Sequence, residues 1–147
     1  LVCISDVALS SDDAKFGLPE TGLGIPPAQI APFVVTRIGL TQARRLALLG
    51  ARFNGAEAKS LGIVHESHSN IDDLNQALET VLQQVQRCAP GANRITKALM
   101  LNVGHQELET LLDGAAESFA KAVQGSEGQE GTMAFVQKRL PKWAAND

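Results

Sequence analysis

Apolar and polar positions follow two different patterns along this chain, and the pattern changes near residue 70. Before that point, short apolar runs are separated by glycine, proline and small polar residues, as is typical of short strands and short helices. After it, apolar residues recur every three to four positions, the period of a helix with one apolar face. The change predicts an α/β fold in two parts, an α/β core portion over 1–67 and a helical region over 68–147.

The first part contains two predicted strands joined by a polar turn, then two longer helices, a short helix and a strand. Pro27 suits the first position of a helix because its missing N–H costs nothing there. Gly39 and Gly50 suit helix ends, where the left-handed backbone favours glycine. The predicted elements are strands at 7–9 and 15–17, helices at 28–37, 41–49 and about 53–61, and a strand at 63–65.

The second part consists of four predicted helices. The first carries an apolar stripe from Ile71 to Val85, and Pro90 and Gly91 end it. The later helices are predicted at about 92–103, at about 105–124, and from Ser126 until Pro141.

Composition and charge argue against several classes of partner. The 147 residues suffice for one domain with a buried core, and 44% of them are hydrophobic. Thirteen basic against 16 acidic residues give a net charge of −3, which does not favour nucleic acid or a membrane surface. The longest apolar run is far too short to cross a bilayer. We therefore expect no nucleic-acid partner and no membrane partner. The two cysteines, Cys3 and Cys88, match no metal or redox spacing and indicate buried thiols in a reducing compartment, so we expect a cytoplasmic protein.

One carboxylate is distinctive because it lies on a tight turn among apolar residues. Glu20 follows Phe16-Gly17-Leu18-Pro19, and Gly22, Gly24 and Pro27 come after it. A helix that begins at Pro27 would bring free backbone N–H groups near this acid. A carboxyl group in apolar surroundings also keeps its proton more readily than one in water, as a general acid must. From the residues alone, an ordinary strand-to-helix connection is the alternative interpretation.

A second candidate site lies near the C-terminus. Lys138 is a mobile point charge suited to a phosphate group. Phe135 lies off the apolar stripe of Met133, Val136 and Leu140, so its ring is free to contact something other than its own core. A solvated lysine beside a core aromatic residue is the alternative interpretation.

The histidines do not predict a metal site. His65 and His68 are separated by two residues at the end of a predicted strand, and no third ligand accompanies them. We interpret them as a surface pair and predict no bound metal. The sequence also contains no Gly-x-Ser-x-Gly motif, no P-loop and no dinucleotide-binding fingerprint.

Three stretches resemble the enoyl-CoA hydratase/isomerase (crotonase) family. The first is the Phe-Gly-x-Pro-Glu sequence that ends at Glu20, followed by Leu-Gly and by a proline seven residues after the acid. The second comprises Gly39, the helix to Leu49 and Gly50, and the run from Ala56 to Val64 that ends in Leu-Gly-Ile-Val. The third, from Ser126 to Trp143, is similar to the family's final helix almost position for position. The resemblance covers essentially the whole chain but only the later half of a usual family member.

The resemblance implies a fold, a reaction and an assembly. The fold is the C-terminal part of a crotonase-type ββα spiral core followed by a helical oligomerisation region, assembled as a homotrimer or a hexamer. The reaction is hydration of an enoyl-CoA thioester across its 2,3 double bond, with Glu20 as the catalytic residue. Coenzyme A enters as part of the acyl-CoA substrate, and no separate cofactor is implied. The implied substrate-binding residues are Pro19, Gly24, Pro27, Ala28, Phe119, Phe135 and Lys138.

Two departures from the family pattern refine this expectation. Where members commonly have glycines after the acid, this chain has Pro27-Ala28-Gln29-Ile30-Ala31-Pro32-Phe33-Val34, one residue shorter. This variant is similar to the branch that hydrates methylglutaconyl-CoA and isohexenylglutaconyl-CoA. The family's two N–H donors to the thioester oxygen come from a stretch that would precede Leu1, so we expect Leu1–Asp147 alone to be incomplete for catalysis.

Two alternatives to a hydratase remain open at this point. An enoyl-CoA isomerase of the same family needs only one acid–base group to move a proton between carbons, and Glu20 would suffice. A noncatalytic oligomerisation module would keep the helices and need no chemistry at Glu20. A hydratase should carry a water-activating partner beside Glu20, whereas the other two need none.

Overall fold

Short strands, one long helix and one short helix make up the chain as far as residue 68, and four helices follow. The computed structural model describes residues 1–145. The strands are β1 (Leu9–Ser11), β2 (Phe16–Gly17), β3 (Arg52–Phe53) and β4 (Glu66–His68). The helices are α1 (Ala31–Leu48), α2 (Gly55–Ser60), α3 (Ile71–Gln86), α4 (Pro90–Asn102), α5 (Leu108–Gln124) and α6 (Ser126–Val136). Short 3-10 helices lie at Val2–Ile4, Glu20–Leu23 and Lys142–Ala144.

The prediction of an α/β chain that ends in helices is confirmed. The chain divides into two units, Leu1–Thr80 and the residues from Val81 onward. The boundary predicted between residues 67 and 68 stays a prediction, and the last two residues of the predicted region 68–147 lie outside the described residues. Among the described residues, no helix is long and apolar enough to cross a membrane.

The four strands form two separate pairs. β1 pairs in parallel with β4, and Leu9 lies opposite Glu66. β2 pairs antiparallel with β3, and Phe16 lies opposite Phe53. Both partners are distant in the sequence, so the two strands that were predicted as neighbours do not pair with each other.

Two sequence predictions in this region are wrong in position. Ser10 and Ser11 belong to β1, although they were predicted to lie in the turn after it. The strand predicted at 63–65 lies at β4 instead. Ile63 and Val64 are buried, but Ile63 N–H donates to the Ala58 oxygen at 2.9 Å and so belongs to the turn that closes α2. An apolar run was therefore mistaken for a strand because both are buried.

Helix α1 is broken at Gly39, whose φ of 76° and ψ of 158° are not helical. The predicted pair of helices separated at this glycine is therefore confirmed. The predicted start is wrong, since α1 begins at Ala31 with Pro32 in its first turn. The residues after Pro27 form a turn, in which Ala31 N–H donates to the Pro27 oxygen at 3.0 Å.

The core of the unit Leu1–Thr80 consists of small and aliphatic side chains. Because several of its members are alanines, α1 and α2 can approach each other and the strands closely. The buried members are Ala8, Leu18, Val34, Ala43, Leu46, Ala58, Ile63 and Val64.

Helix α2 is fixed at its start by a reciprocal cap and by a close contact with β1. Asn54 Oδ1 accepts from Glu57 N–H, and Glu57 Oε2 accepts from Asn54 N–H, both at 2.9 Å. Gly55 N–H donates to the Asp12 oxygen at 2.9 Å. A β carbon at position 55 would overlap the backbone oxygen of Ser11, so only glycine fits here.

Helices α3 to α6 leave most of their large apolar side chains uncovered. Among the described residues of these four helices, only Leu111 and Ala134 are buried. The predicted stripes exist as sequence patterns, but the chain itself does not cover them. The most exposed large apolar side chains of these four helices are Ile71, Met100, Leu101, Leu108, Phe119, Phe135 and Val136.

The start of α4 is held by a side chain of α6. Glu127 Oε1 accepts from Gly91 N–H at 2.9 Å, and Glu127 Oε2 accepts from Ala92 N–H at 3.1 Å. One carboxylate therefore satisfies two of the free N–H groups at this helix start, where its negative charge is also favourable.

We predict that Gly55→Ala lowers the free energy of unfolding by about 3 kcal/mol, because the added methyl group would overlap the backbone of β1. The measurement is urea unfolding followed by circular dichroism. Gly114→Ala is the matched control, since a β carbon there meets nothing within 4 Å and should be neutral or stabilising. Equal stability of the Gly55→Ala variant and the unaltered protein would contradict the close contact.

Candidate active site

The backbone on the N-terminal side of Glu20 is fixed by pairing and by burial. The rings of Phe16 and Phe53 stack across β2 and β3, with centroids 5.8 Å apart. Leu18 is buried, and its N–H donates to the Ala51 oxygen at 2.9 Å. The chain therefore reaches Glu20 along a defined path.

Glu20 opens a 3-10 turn, bounded by two of the predicted binding residues. Pro19 precedes the turn with a φ of −82°, which its ring enforces. Gly24 ends the turn with a φ of 77°, a conformation that glycine adopts without strain. Pro19, Glu20 and Gly24 are thus brought together as one local structure.

The turn of Glu20 contacts the C-terminal end of α1, a contact not anticipated from the sequence. The hydroxyl group of Thr21 donates to the Ala47 oxygen at 2.8 Å. A β carbon at Gly50 would lie 3.5 Å from Thr21 Oγ1. Because α1 begins only at Ala31, the predicted helix start at Pro27 is wrong, and the argument that its N–H groups face the acid falls with it.

The carboxylate of Glu20 has one oxygen that is buried without a hydrogen-bond partner. This atom, Oε2, is the one buried side-chain polar atom of the described residues that lacks a partner. Leaving a buried acceptor unpaired costs about 1–3 kcal/mol, so such atoms are uncommon in folded proteins. An acceptor that no protein group occupies is free to take up a proton or to bind a water molecule.

An apolar cavity of about 240 Å³ is lined in part by Leu18, which lies two residues before Glu20 in the chain. Of the predicted binding residues in this unit, Pro27 lines the cavity. Pro19 is half-buried and Ala28 is exposed, and neither lines it. The lining residues are Leu18, Pro27, Ala31, Val34, Val35, Ala43, Arg44, Ala47 and Leu48.

The predicted aromatic residues of the second unit are both strongly exposed. Phe119, on α5, is 72% exposed and lines a cavity of about 480 Å³ between α4 and α5. Phe135, on α6, is 84% exposed. Met133 and Val136 are exposed as well, so lying off their stripe does not distinguish Phe135 as the sequence argument assumed.

Lys138 adopts a backbone conformation that side chains disfavour. Its φ is 53°, and it is the only residue other than glycine with a positive φ in the described part of the chain. Lys138 N–H donates to the Phe135 oxygen at 3.1 Å, and Arg139 N–H donates to the Ala134 oxygen at 3.0 Å. These two bonds end α6 at Val136, so the predicted extension of this helix to Pro141 is wrong.

The segment after Lys138 is attached to α6 through Glu130. Arg139 Nη1 and Nη2 donate to the two oxygens of Glu130 at 2.6 and 3.1 Å, and Lys142 N–H donates to Glu130 Oε1 at 2.9 Å. The hydrogen bonds from the Arg139 side chain, together with the Lys142 N–H, lower the pKa of Glu130 from 4.5 to about 2. The carboxylate is therefore ionised throughout the physiological pH range.

The two histidines of the predicted surface pair have different partners. His65 Nδ1 accepts from Ala8 N–H at 3.0 Å. His68 Nε2 lies 3.1 Å from Glu66 Oε2. Neither pairs with the other, and the described residues contain no group of three or more His, Cys, Asp or Glu that could hold a metal ion.

Comparison with known proteins identifies the family of this chain. Residues 1–146 match the family described as enoyl-CoA hydratase/isomerase. The chain belongs to the enoyl-CoA hydratase/isomerase family. The predicted family is therefore confirmed.

Two curated relatives of this family member have different activities in their names. The mevalonyl-coenzyme A hydratase sidH of Aspergillus fumigatus is 30% identical over 146 residues, which cover 97% of this chain and 54% of the relative. The peroxisomal Delta(3,5)-Delta(2,4)-dienoyl-CoA isomerase of Arabidopsis thaliana is 30% identical over 148 residues, with 98% and 52% covered. The chain thus spans about half the length of the curated relatives it matches.

A solved structure supports the fold of this family member. Pseudomonas aeruginosa AtuE superposes with a TM-score of 0.96 at 64% identity, covering 98% of this chain and 56% of AtuE. The predicted fold, a portion of the crotonase fold, is confirmed. The roles assigned to Glu20 and to the binding residues stay predictions.

Sequence reasoning about this family member missed the contacts that hold the Glu20 turn and the segment after Lys138. Thr21 was passed over because a threonine beside a glutamate carries no signal for a bond to a helix 26 residues away. Glu130 and Arg139 lie within the third stretch that resembles the family, Ser126 to Trp143, and nothing in that stretch signals that they pair. Their separation of nine residues matches no helical spacing, because the helix ends between them.

We predict that Glu130→Gln lowers the melting temperature at pH 7 and that this difference disappears in acid. Because the pKa of Glu130 is lower in the folded protein, its ionised form stabilises the fold above about pH 4.5, and this contribution is lost as the pH falls to about 2. Differential scanning calorimetry at pH 7, 4.5 and 3 measures the effect.

The control for this prediction is Glu117→Gln, which disrupts an exposed ion pair with Lys121 and should change the melting temperature little at any pH. A difference between Glu130→Gln and the unaltered protein that stays constant down to pH 2.5 would contradict the shifted pKa.

Proposed function

We propose that this protein is part of an enoyl-CoA hydratase that adds water across the 2,3 double bond of an enoyl-CoA thioester. The single observation that carries the proposal is the buried and unpartnered Oε2 of Glu20. A plain structural turn would be more stable with that oxygen hydrogen-bonded or exposed to solvent. A proton-transfer group, in contrast, needs an oxygen that no other protein group occupies.

In the proposed reaction, the oxygen of water bonds to Cβ of the substrate while a proton is added to Cα. The electron pair of the double bond moves toward Cα, and the thioester carbonyl accepts the developing charge. Glu20 exchanges the proton with Cα and helps to orient the water molecule, and the proton that this water loses restores the acid, so the net change is the addition of one water molecule. The fixed backbone on both sides of Glu20 supports this role, because proton transfer requires a stable geometry.

The apolar cavity beside the Glu20 backbone is suited to the acyl group of the substrate. Its walls are almost entirely aliphatic, which favours a hydrocarbon chain. Arg44 is the charged residue among those that line it and would pair with the free carboxylate of a branched glutaconyl group. This supports a glutaconyl-CoA as the substrate class.

An isomerase is the second candidate. A relative named as a hydratase and a relative named as an isomerase are each 30% identical to this chain. Glu20 would serve either reaction as the acid–base group, since an isomerase needs only one. They differ in the product, since only the hydratase incorporates oxygen from water. Mass spectrometry of the product formed in ¹⁸O-labelled water distinguishes the two.

We also propose that the protein assembles as a homotrimer or as a hexamer. The uncovered apolar stripes of α3 to α6 support this proposal, since large apolar surfaces of this kind are typical of subunit interfaces.

We predict that Glu20→Gln in the complete enzyme lowers kcat for hydration of a short enoyl-CoA by roughly 10²–10⁴. Glutamine keeps the shape and polarity of the side chain but cannot transfer a proton, so KM and the melting temperature should change little. Glu57→Gln, in the cap of α2, is a control that alters a glutamate of the same unit outside the site. A folded Glu20→Gln variant with a rate within about threefold of that of the unaltered protein would exclude Glu20 from the chemistry. The turn would then be an ordinary strand-to-helix connection.

We predict that Lys138→Ala raises KM roughly tenfold with little change in kcat, because a remote phosphate contact acts alike in the ground and transition states. Lys138→Gly should raise KM equally while increasing the free energy of unfolding by about 1 kcal/mol, since glycine tolerates the left-handed backbone. Lys59→Ala, an exposed lysine on α2, controls for the loss of a positive charge. Unchanged affinity for coenzyme A at low salt would contradict the contact.

A further inference from the structure

The left-handed backbone of Lys138 requires an explanation from its surroundings. Side chains seldom adopt a φ of 53°, and residues that do so persist only where neighbouring contacts fix them. Glycine commonly occupies this position after a helix, because it has no β carbon to crowd the backbone. A lysine in this conformation therefore requires contacts that hold its backbone in place.

The contacts on the C-terminal side of Lys138 are strong and converge on one carboxylate. Arg139 is the next residue, and its guanidinium group forms two parallel hydrogen bonds with Glu130 at 2.6 and 3.1 Å. Glu130 Oε1 also accepts from Lys142 N–H at 2.9 Å. The chain that leaves Lys138 is thus attached to α6 at two points.

Arg139 is itself held in one orientation. Its Nε donates to Gln137 Oε1 at 2.7 Å, and its Nη1 donates to the Leu140 oxygen at 3.0 Å. The side chain of Glu130 is 16% exposed and that of Arg139 is 39% exposed. For comparison, the ion pair of Glu117 and Lys121 is longer, at 3.5 Å, and both of its side chains are more than 70% exposed.

We propose that Glu130 is a positioning residue for Lys138. By binding Arg139 and the backbone of Lys142, it holds the residue between α6 and this segment in the left-handed conformation from which the lysine contacts a coenzyme A phosphate. This inference rests on the proposed function, which gives Lys138 its ligand.

Positioning matters here because a lysine side chain is long and flexible. When the backbone at 138 relaxes to a helical or extended conformation, the ammonium group samples more positions and binding must restrict it again. The ion pair between Glu130 and Arg139 restricts the backbone at Lys138 before the ligand binds, so binding loses less conformational entropy. Glu130 therefore raises affinity for the ligand without touching it.

The test is the affinity of the complete protein for coenzyme A, measured by calorimetry on five proteins. They are the unaltered protein, Glu130→Gln, Lys138→Ala, the double variant, and Glu117→Gln as the control for charge. We expect Glu130→Gln and Lys138→Ala each to weaken binding roughly tenfold. The double variant should bind no more weakly than Lys138→Ala alone, because Glu130 acts only through the lysine.

Arg139→Lys is a milder variant that keeps the positive charge but cannot form the two parallel hydrogen bonds. It should weaken binding in the same direction and tests the inference should Glu130→Gln fold poorly. In the complete enzyme, each of the two variants should raise KM with kcat within about twofold, whereas a general loss of structure would lower kcat as well.

Three results would overturn the inference. Effects of Glu130→Gln and Lys138→Ala that multiply in the double variant would show that the two residues act independently. Unchanged affinity in Glu130→Gln beside weakened affinity in Lys138→Ala would end the positioning role and leave the proposed function standing. An unaltered protein that does not bind coenzyme A would overturn both.

Discussion

Two hydrogen bonds attach the turn of Glu20 to the region where α1 ends, and the candidate site depends on both. Leu18 N–H donates to the Ala51 oxygen, and the Thr21 hydroxyl donates to the Ala47 oxygen. Helix α1 also supplies most of the wall of the apolar cavity. The acid and the cavity are therefore parts of one rigid local structure, and a displacement of α1 would move them together.

Two positions of this family member depart from what local stability favours, and both had been singled out from the sequence. Glu20 keeps a buried oxygen without a partner, and Lys138 occupies a backbone region suited to glycine. Most residues of a folded protein agree with local preferences, and exceptions concentrate where chemistry or binding requires them. Each exception is supported nearby, by Thr21 in one case and by the pair of Glu130 and Arg139 in the other.

The fold class and the break at Gly39 could be predicted because they depend on local pattern and on backbone freedom at single residues. The start of α1 could not be predicted, since both Pro27 and Pro32 are compatible with the first turn of a helix. The residues between them form a turn, and this turn determines which proline lies in the helix. The pairing of β1 with β4 joins residues 57 positions apart, which no local pattern encodes. The buried oxygen of Glu20 was not predictable either, because the burial of a single atom depends on three-dimensional packing around the turn.

The cap of α4 has a consequence for synthesis on the ribosome. Gly91 and Ala92 receive their hydrogen bonds from Glu127, which is translated 36 residues after Gly91. At typical rates of 5–20 residues per second, the first turn of α4 waits on the order of several seconds for its partner. During that interval these two N–H groups lack the carboxylate that accepts from them in the folded protein, so the first turn of α4 is less stable until α6 is made. The last helix thus completes an element that is made well before it.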